Sequence, residues 1–198
     1  MSSKFAKMNL VPLALVGGAA VLTMAAPSVP SDAVSGIAAE FHASRVCYET
    51  ETPARLCYTA PDNIPQDVDL SDVQFIASYL RAYGAQTRAG RLFNMAAADA
   101  PDCGEWLLYS SGTASVFAKH INNTVNSSVL FADIATTIDG GPNATPEQQQ
   151  AASLLGCATD GGSLGVAVNA THPTYSGSTY PAGYVTEGIL IKVVSSGV

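Results

Sequence analysis

The chain has 198 residues, 47% of them hydrophobic and 13% charged, with 9 Lys plus Arg against 16 Asp plus Glu and a net charge of −7. An acidic surface repels phosphate backbones and anionic membranes within about a Debye length, which argues against nucleic acid as the main partner. The length suits one domain that buries about 70% of its unfolded surface, with no need for a second.

The opening stretch, MSSKFAKMNLVPLALVGGAAVLTMAAPSVP, sets Lys4 and Lys7 ahead of an apolar run that closes on small residues. This is the order of a secretory signal peptide. Pro12, Gly17 and Gly18 interrupt a run that is shorter than the ~20 apolar residues of a membrane span. A signal peptide is therefore expected over residues 1–26, cleaved after Ala25 or Ala26, with an extracellular product and no membrane association after cleavage. Its removal leaves seven cations against 16 acids. Residues 27–44 are rich in Pro, Ser and Ala and read as a loosely held arm, and residues 45–198 as a single secreted globular domain.

RVCYET and ARLCYTA are short β-prone runs around Thr52 and Pro53, and their similarity predicts paired strands. A helix follows, with Ser71 or Asp72 as N-cap and Val73, Ile76, Leu80 and Tyr83 on one apolar face beside Phe75 and Tyr79. It ends near Tyr83, where Gly84 weakens it. Were it to continue, Arg81 and Arg88 would share a face, with Arg91 following: either a basic patch for an acidic partner or, more simply, solvated arginines. GRLFNMAAA fits a helix end or a strand start. EWLLYS, apolar on both faces, predicts a central strand; Ser111 and Gly112 turn the chain, and ASVFAKHI returns as a hairpin partner, a helix capped by Thr113 being the rival.

NSSVLFADIATTIDGG places Leu130, Phe131, Ile134, Ala135 and Ile138 at helical spacing before a stop at Gly140 and Gly141. Thr145-Pro146-Glu147-Gln148 is a capping box with proline at the first helical position, opening a helix over 146–155 that stops at Gly156. LGVAVN predicts a strand, and GILIKVV, apolar on both faces apart from Lys192, an interior one. Between them, ATHPTYSGSTYPAGYVT carries Tyr175, Tyr180 and Tyr184 in a segment long for a mere connection. Tyrosines among glycine and serine suit recognition; a glycan-shielded loop rooted at Asn169 is the alternative. Together these elements predict an α+β fold, an antiparallel sheet packed against two to three helices as a disulfide-stabilised α/β sandwich.

Cys47, Cys57, Cys103 and Cys157 are an even number in an exported chain, which predicts two disulfides. Three pairings are open; Cys47–Cys57 across the local hairpin and Cys103–Cys157 between distant elements are preferred. No Cys-x-x-Cys occurs, and neither His42 nor His172 has finger spacing, so no metal or other cofactor is expected. Asn122, Asn126, Asn143 and Asn169 each open an Asn-x-Ser/Thr acceptor for N-glycosylation.

No motif specifies a reaction. Gly161-Gly162-Ser163-Leu164-Gly165 lacks the spacing of a nucleophile elbow and precedes a strand. Asp99, Asp102, Glu105, Asp133, Asp139 and Asp160 supply carboxylates for a glycosidase, but nothing in their spacing pairs any two. A ribonuclease would recruit Glu105, His120, His172 and Arg91, and a hairpin could bring Glu105 and His120 together. A small hydrolase of wall polysaccharide or RNA built on Glu105 and His120 is thus the competing class.

The exported chain, its tryptophan strand (103–109), the segment SVLFADIATTIDGG and the closing strand GILIKVV resemble secreted proteins of filamentous fungi. Among these are compact α/β sandwiches of the killer-toxin-like effector type. The resemblance covers residues 45–194 in order of elements. It implies a non-enzymatic secreted interaction protein acting on a host or competitor, with an extracellular protein or glycan as partner, and it transfers no catalytic residue.

Overall fold

The computed structural model describes residues 51–197. The signal segment, the arm and Cys47 lie outside the described residues.

Helix α1 (Leu70–Gly84) is where the apolar spacing puts it, and Val73, Ile76 and Leu80 are its buried stripe. Its cap is Asp69, whose carboxylate accepts the Ser71 N–H at 2.7 Å. Asp72 instead fastens the first turn of α1 to a hairpin tip. Its Oδ2 accepts the Thr113 backbone N–H and hydroxyl at 2.8 and 3.0 Å. The helix ends at Gly84, and residues 91–95 enter strand β2 (Leu92–Met95).

The tryptophan segment is β3 (Glu105–Ser111), and ASVFAKH returns beside it as β4 (Ala114–His120), so the hairpin is present. The predicted position of β3 needs correction. It is the outermost strand of a five-stranded sheet ordered β1-β6-β8-β4-β3, in which β1 is Leu56–Cys57, β6 is Gly162–Gly165 and β8 is Ile189–Ser195. The central places belong to β4 and β8, which pair over seven residues. A register shift between Leu107 and Tyr109 turns Leu108 and Tyr109 toward the core together, and such a bulge makes an edge strand look apolar on both faces.

Asn126–Leu130 of the predicted helix is instead a strand, β5, paired antiparallel with β2. Helix α2 (Phe131–Asp139) begins only after it and stops at Gly140 in the left-handed conformation (φ 82°) that glycine adopts without strain. Ser127 and Ser128 carry little strand preference of their own and join β5 by pairing with Met95 and Asn94, a nonlocal fact. β7 (Tyr184–Val185) adds in parallel to β5, completing a second sheet, β2-β5-β7, that the sequence did not announce.

The capping box opens α3 (Pro146–Ala152), with both reciprocal hydrogen bonds made. A 3₁₀ segment over Leu154–Asp160 replaces its predicted last turn. Of LGVAVN only Leu164 and Gly165 are strand (β6); GILIKVV is interior, as expected.

One face of the five-stranded sheet, through Val116, Ala118, Ile191 and Val193, packs on Ile76 and Leu80 of α1 and Ile134 and Ile138 of α2. Burying aliphatic chains of this size contributes about 1.5–3 kcal/mol each. The helices cross closely at Gly84, where an added Cβ would meet the Phe131 Cβ at 3.0 Å. At their C-terminal ends Arg81 clasps Asp139 with two hydrogen bonds of 2.7 and 2.9 Å.

The preferred cysteine pairing is also overturned. Cys57 is bonded to Cys157, tying β1 to the 3₁₀ segment across a separation of 100 residues. Cys57 sits on β1, which pairs with β6, only a few residues beyond Cys157. ARLCYTA therefore meets the C-terminal half through Leu56 and Cys57. Cys103 is also disulfide-bonded, but not to Cys157. A disulfide closing so long a loop stabilises by about 4–5 kcal/mol in the chain-entropy model. A non-reducing peptide map should recover the Cys57–Cys157 linkage, and Cys157→Ala should lower unfolding free energy in urea by about 2–5 kcal/mol.

Candidate functional site

Glu105 and His120 stand apart. Glu105 lies across the ladder from Lys119 and therefore shares its face of the sheet, whereas His120 is the next residue along β4 and points to the other. On the outward face Glu105 Oε1 accepts from Lys192 Nζ at 2.7 Å and lies 3.7 Å from Lys119 Nζ, while Glu51 reaches Lys192 and Lys119 at 3.4 and 3.2 Å. Burial pulls the Lys192 ammonium down, but its hydrogen bond to Glu105 and the charges of Tyr58, Glu105 and Glu51 outweigh this and hold it above its ordinary value. The face is a neutralised ion cluster on the sheet, and Lys192 is part of it.

His120 is fully buried, with Nε2 3.0 Å from Ser127 Oγ. Its Nδ1 has no partner of good geometry, although the Ala100 carbonyl lies close enough to favour the protonated ring slightly. Burial dominates and lowers its pKa. A base with a depressed folded-state pKa binds fewer protons folded than unfolded, so its contribution holds above the unfolded value of about 6.5 and is lost as pH falls below it. Wild type should therefore lose stability faster than His120→Gln between about pH 7 and 5.5, by at most about 1.4 kcal/mol per pH unit. Equal slopes in urea titrations of the two proteins would exclude the buried neutral ring.

The loop tyrosines are tied inward. Tyr175 Oη donates to Asp133 Oδ2 at 2.5 Å and accepts the Leu130 N–H at 2.8 Å. Burial, then the hydrogen bond to Asp133, raises the Tyr175 pKa, so the phenol stays a donor. Tyr180 Oη donates to the Ser128 carbonyl at 2.9 Å. Tyr184 is half-buried in β7. A short helix, α4 (Pro173–Ser176), replaces part of the expected loop.

Asn122, Asn143 and Asn169 are exposed. Asn122 and Asn169 each accept the hydroxyl of their own acceptor threonine, Thr124 at 2.6 Å and Thr171 at 2.7 Å. Asn126 is half-buried and accepts the Ala97 N–H at 3.0 Å. Asn143 and Asn169 both line an open groove of about 860 Å³ beside α2, so sugars there would stand over it.

Of the exposed large apolar side chains, Leu56, Ile64, Leu70 and Val185 are joined by three on α1 and the free edge of β3. Phe75 is 52% exposed, Tyr79 39% and Leu107 56%. Tyr79 stacks on Tyr109 with ring centres 4.0 Å apart. Behind this rim a groove of about 290 Å³ is walled by Tyr83, Phe93, Leu108 and Phe131, and edge-on contacts of 4.9 and 5.8 Å run from Tyr83 through Phe131 to Phe93. Trp106 closes the row, edge-on to Phe93 at 6.1 Å. Phe75 and Tyr79 were legible as neighbours of the apolar stripe; the exposure of Leu107, which lies on the outward side of β3 opposite Trp106, depends on β3 being an edge strand.

Family models, curated proteins and solved structures give no match to this chain. Its chemistry is therefore what its own surface offers. Among the described residues, no group of three or more His, Cys, Asp or Glu could hold a metal ion, and no helix is long and apolar enough to cross a membrane.

Proposed function

We propose that this chain is a secreted, N-glycosylated interaction protein of the fungal effector type, which acts by binding an extracellular protein through the face formed by α1 and β3. The observation that carries this function is the exposure of Tyr79 and Leu107 on the lining of an aromatic groove, with Phe75 exposed one helical turn before Tyr79. Large apolar side chains gathered at one place on a water-facing surface mark docking sites, and aromatic anchors supply most of the energy in such interfaces.

A protein partner fits better than a glycan. The groove offers only the hydroxyls of Tyr79 and Tyr83 as polar side-chain groups, too few to read the hydroxyls of a sugar. Beside it β3 is an edge strand, and an edge presents peptide N–H and C=O groups that an extended segment of another protein pairs with. Secretion is supported by the leader-like N-terminus and by the disulfide, and glycosylation by the open setting of Asn122, Asn143 and Asn169. Binding rather than hydrolysis is supported by the opposite orientations of Glu105 and His120.

The secreted protein, immobilised, is expected to retain a protein from the extracellular fluid of its target. Leu107→Glu and Phe75→Ser should each weaken that capture by about tenfold or more, the scale of a lost anchor, while leaving the urea midpoint nearly unchanged. Capture that survives both substitutions would remove this face from the function; capture of sugar polymers alone would replace the protein partner with a glycan.

A further inference from the structure

Three arginines of an acidic chain meet in one place. Arg81, Arg88 and Arg91 line a groove of about 320 Å³ together with Gly90, Ala132 and His172. The chain has 9 lysines and arginines in all, so a third of its fixed positive charge borders this groove, and no carboxylate residue lines it.

The three guanidinium groups are not equivalent. Arg81 is satisfied by its two bonds to Asp139. Arg91 is held in place: Nη1 donates to Tyr83 Oη at 2.9 Å, Nη2 to Gln86 Oε1 at 3.2 Å, and the guanidinium carbon lies 4.2 Å from the centre of the Tyr83 ring. That grip leaves the buried Arg91 Nε without an acceptor. Arg88 is exposed and makes no ion pair or hydrogen bond with any described residue. The His172 ring uses Nδ1 to accept the Thr174 N–H at 3.3 Å, which leaves its proton on Nε2 as a further donor. Helix α2 starts at this groove, its Phe131 N–H donating to the Arg91 carbonyl at 3.0 Å.

Simple neutralisation of the α1 C-terminus accounts for Arg81, which sits in its last turn. It does not account for an Arg91 fixed by Tyr83 and Gln86 in the same groove as a free Arg88 and a histidine donor. We infer that this groove binds a small oxyanion, the carboxylate or the phosphate or sulfate ester of an extracellular ligand. Arg88 supplies the planar fork that grips two of its oxygens, Arg91 adds its fixed positive charge, and His172 supplies a single donor. The site is independent of the aromatic face: its lining shares no residue with the exposed rim of Phe75, Tyr79 and Leu107.

The test is an amide-resolved NMR titration of the folded secreted protein with inorganic phosphate, inorganic sulfate and a uronic acid in turn, at constant ionic strength. Saturable shifts confined to residues 85–91, 131–132 and 172 are expected with at least one of them, and the anion bound most tightly identifies the ester or the carboxylate. Arg88→Glu, on an exposed side chain, should weaken that binding by about tenfold or more, and Arg88→Lys should restore part of it. Absence of saturable shifts with all three anions, or shifts that Arg88→Glu leaves unchanged, would overturn the inference. Arg55→Glu controls for general charge, and an equal loss in that variant would likewise overturn it.

Discussion

Asp133 is a carboxylate buried at the start of α2, and the C-terminal third of the chain is organised around it. It receives the Tyr175 hydroxyl and the Asn169 N–H, while the same Tyr175 oxygen accepts the Leu130 N–H just before the helix. One phenol thus replaces the missing side-chain cap and satisfies a buried anion, two needs that are each costly if unmet. One turn further along, Thr137 reinforces the tether, its hydroxyl donating to the Asp133 carbonyl and accepting the Ala167 N–H, both at 2.8 Å. Residues 167–176 are drawn over α2 by these bonds, and the Thr174 hydroxyl reaches the Ala89 carbonyl on the far side. His172 is delivered to the arginine groove by the same tether.

From this node two surfaces of α1 acquire different characters. Its exposed aromatic side chains and the free edge of β3 offer apolar contact and a strand to pair with; its C-terminal end, with the loop to β2, gathers positive charge against the start of α2. Tyr83 belongs to both, walling the aromatic groove while stacking under Arg91. The outward face of the large sheet is occupied by the Glu51, Glu105, Lys119 and Lys192 cluster, whose charges neutralise one another. In the function proposed above recognition falls to α1 and its neighbours, while the hydroxyls of Tyr175 and Tyr180 are hydrogen-bonded within the fold.

Legibility in the sequence followed the range of the interactions. α1, the capping box of α3, the β3–β4 hairpin and the interior strand β8 depend on local spacing or on a single run of apolar residues, and each was readable. The β5 strand was not, because Ser127 and Ser128 become strand only by pairing with Met95 and Asn94 about thirty residues away. The Cys57–Cys157 bond, which spans a separation of 100 residues, follows from β1 joining β6, a pairing that no local pattern encodes. Of the residues proposed to bind, Phe75 and Tyr79 were visible at the margin of an apolar stripe. Arg88 and His172 converge through the Tyr175 tether and the bond from Thr174 to Ala89, both nonlocal, and the helix continuation that would have aligned Arg81 with Arg88 stops at Gly84, where α2 crosses closely.

Amide hydrogen exchange on Tyr175→Phe tests the organising role of that tether most directly. The substitution keeps the ring and removes one oxygen, leaving the Leu130 N–H and the Asp133 carboxylate each short of a partner, at a cost of about 1–3 kcal/mol or more. The expected result is faster exchange at Leu130 and across 167–176, with the β4–β8 ladder still protected. Unchanged exchange at Leu130 and Asn169 would show that the segment is held without the phenol, and would contradict the organising role given to Tyr175 and Asp133.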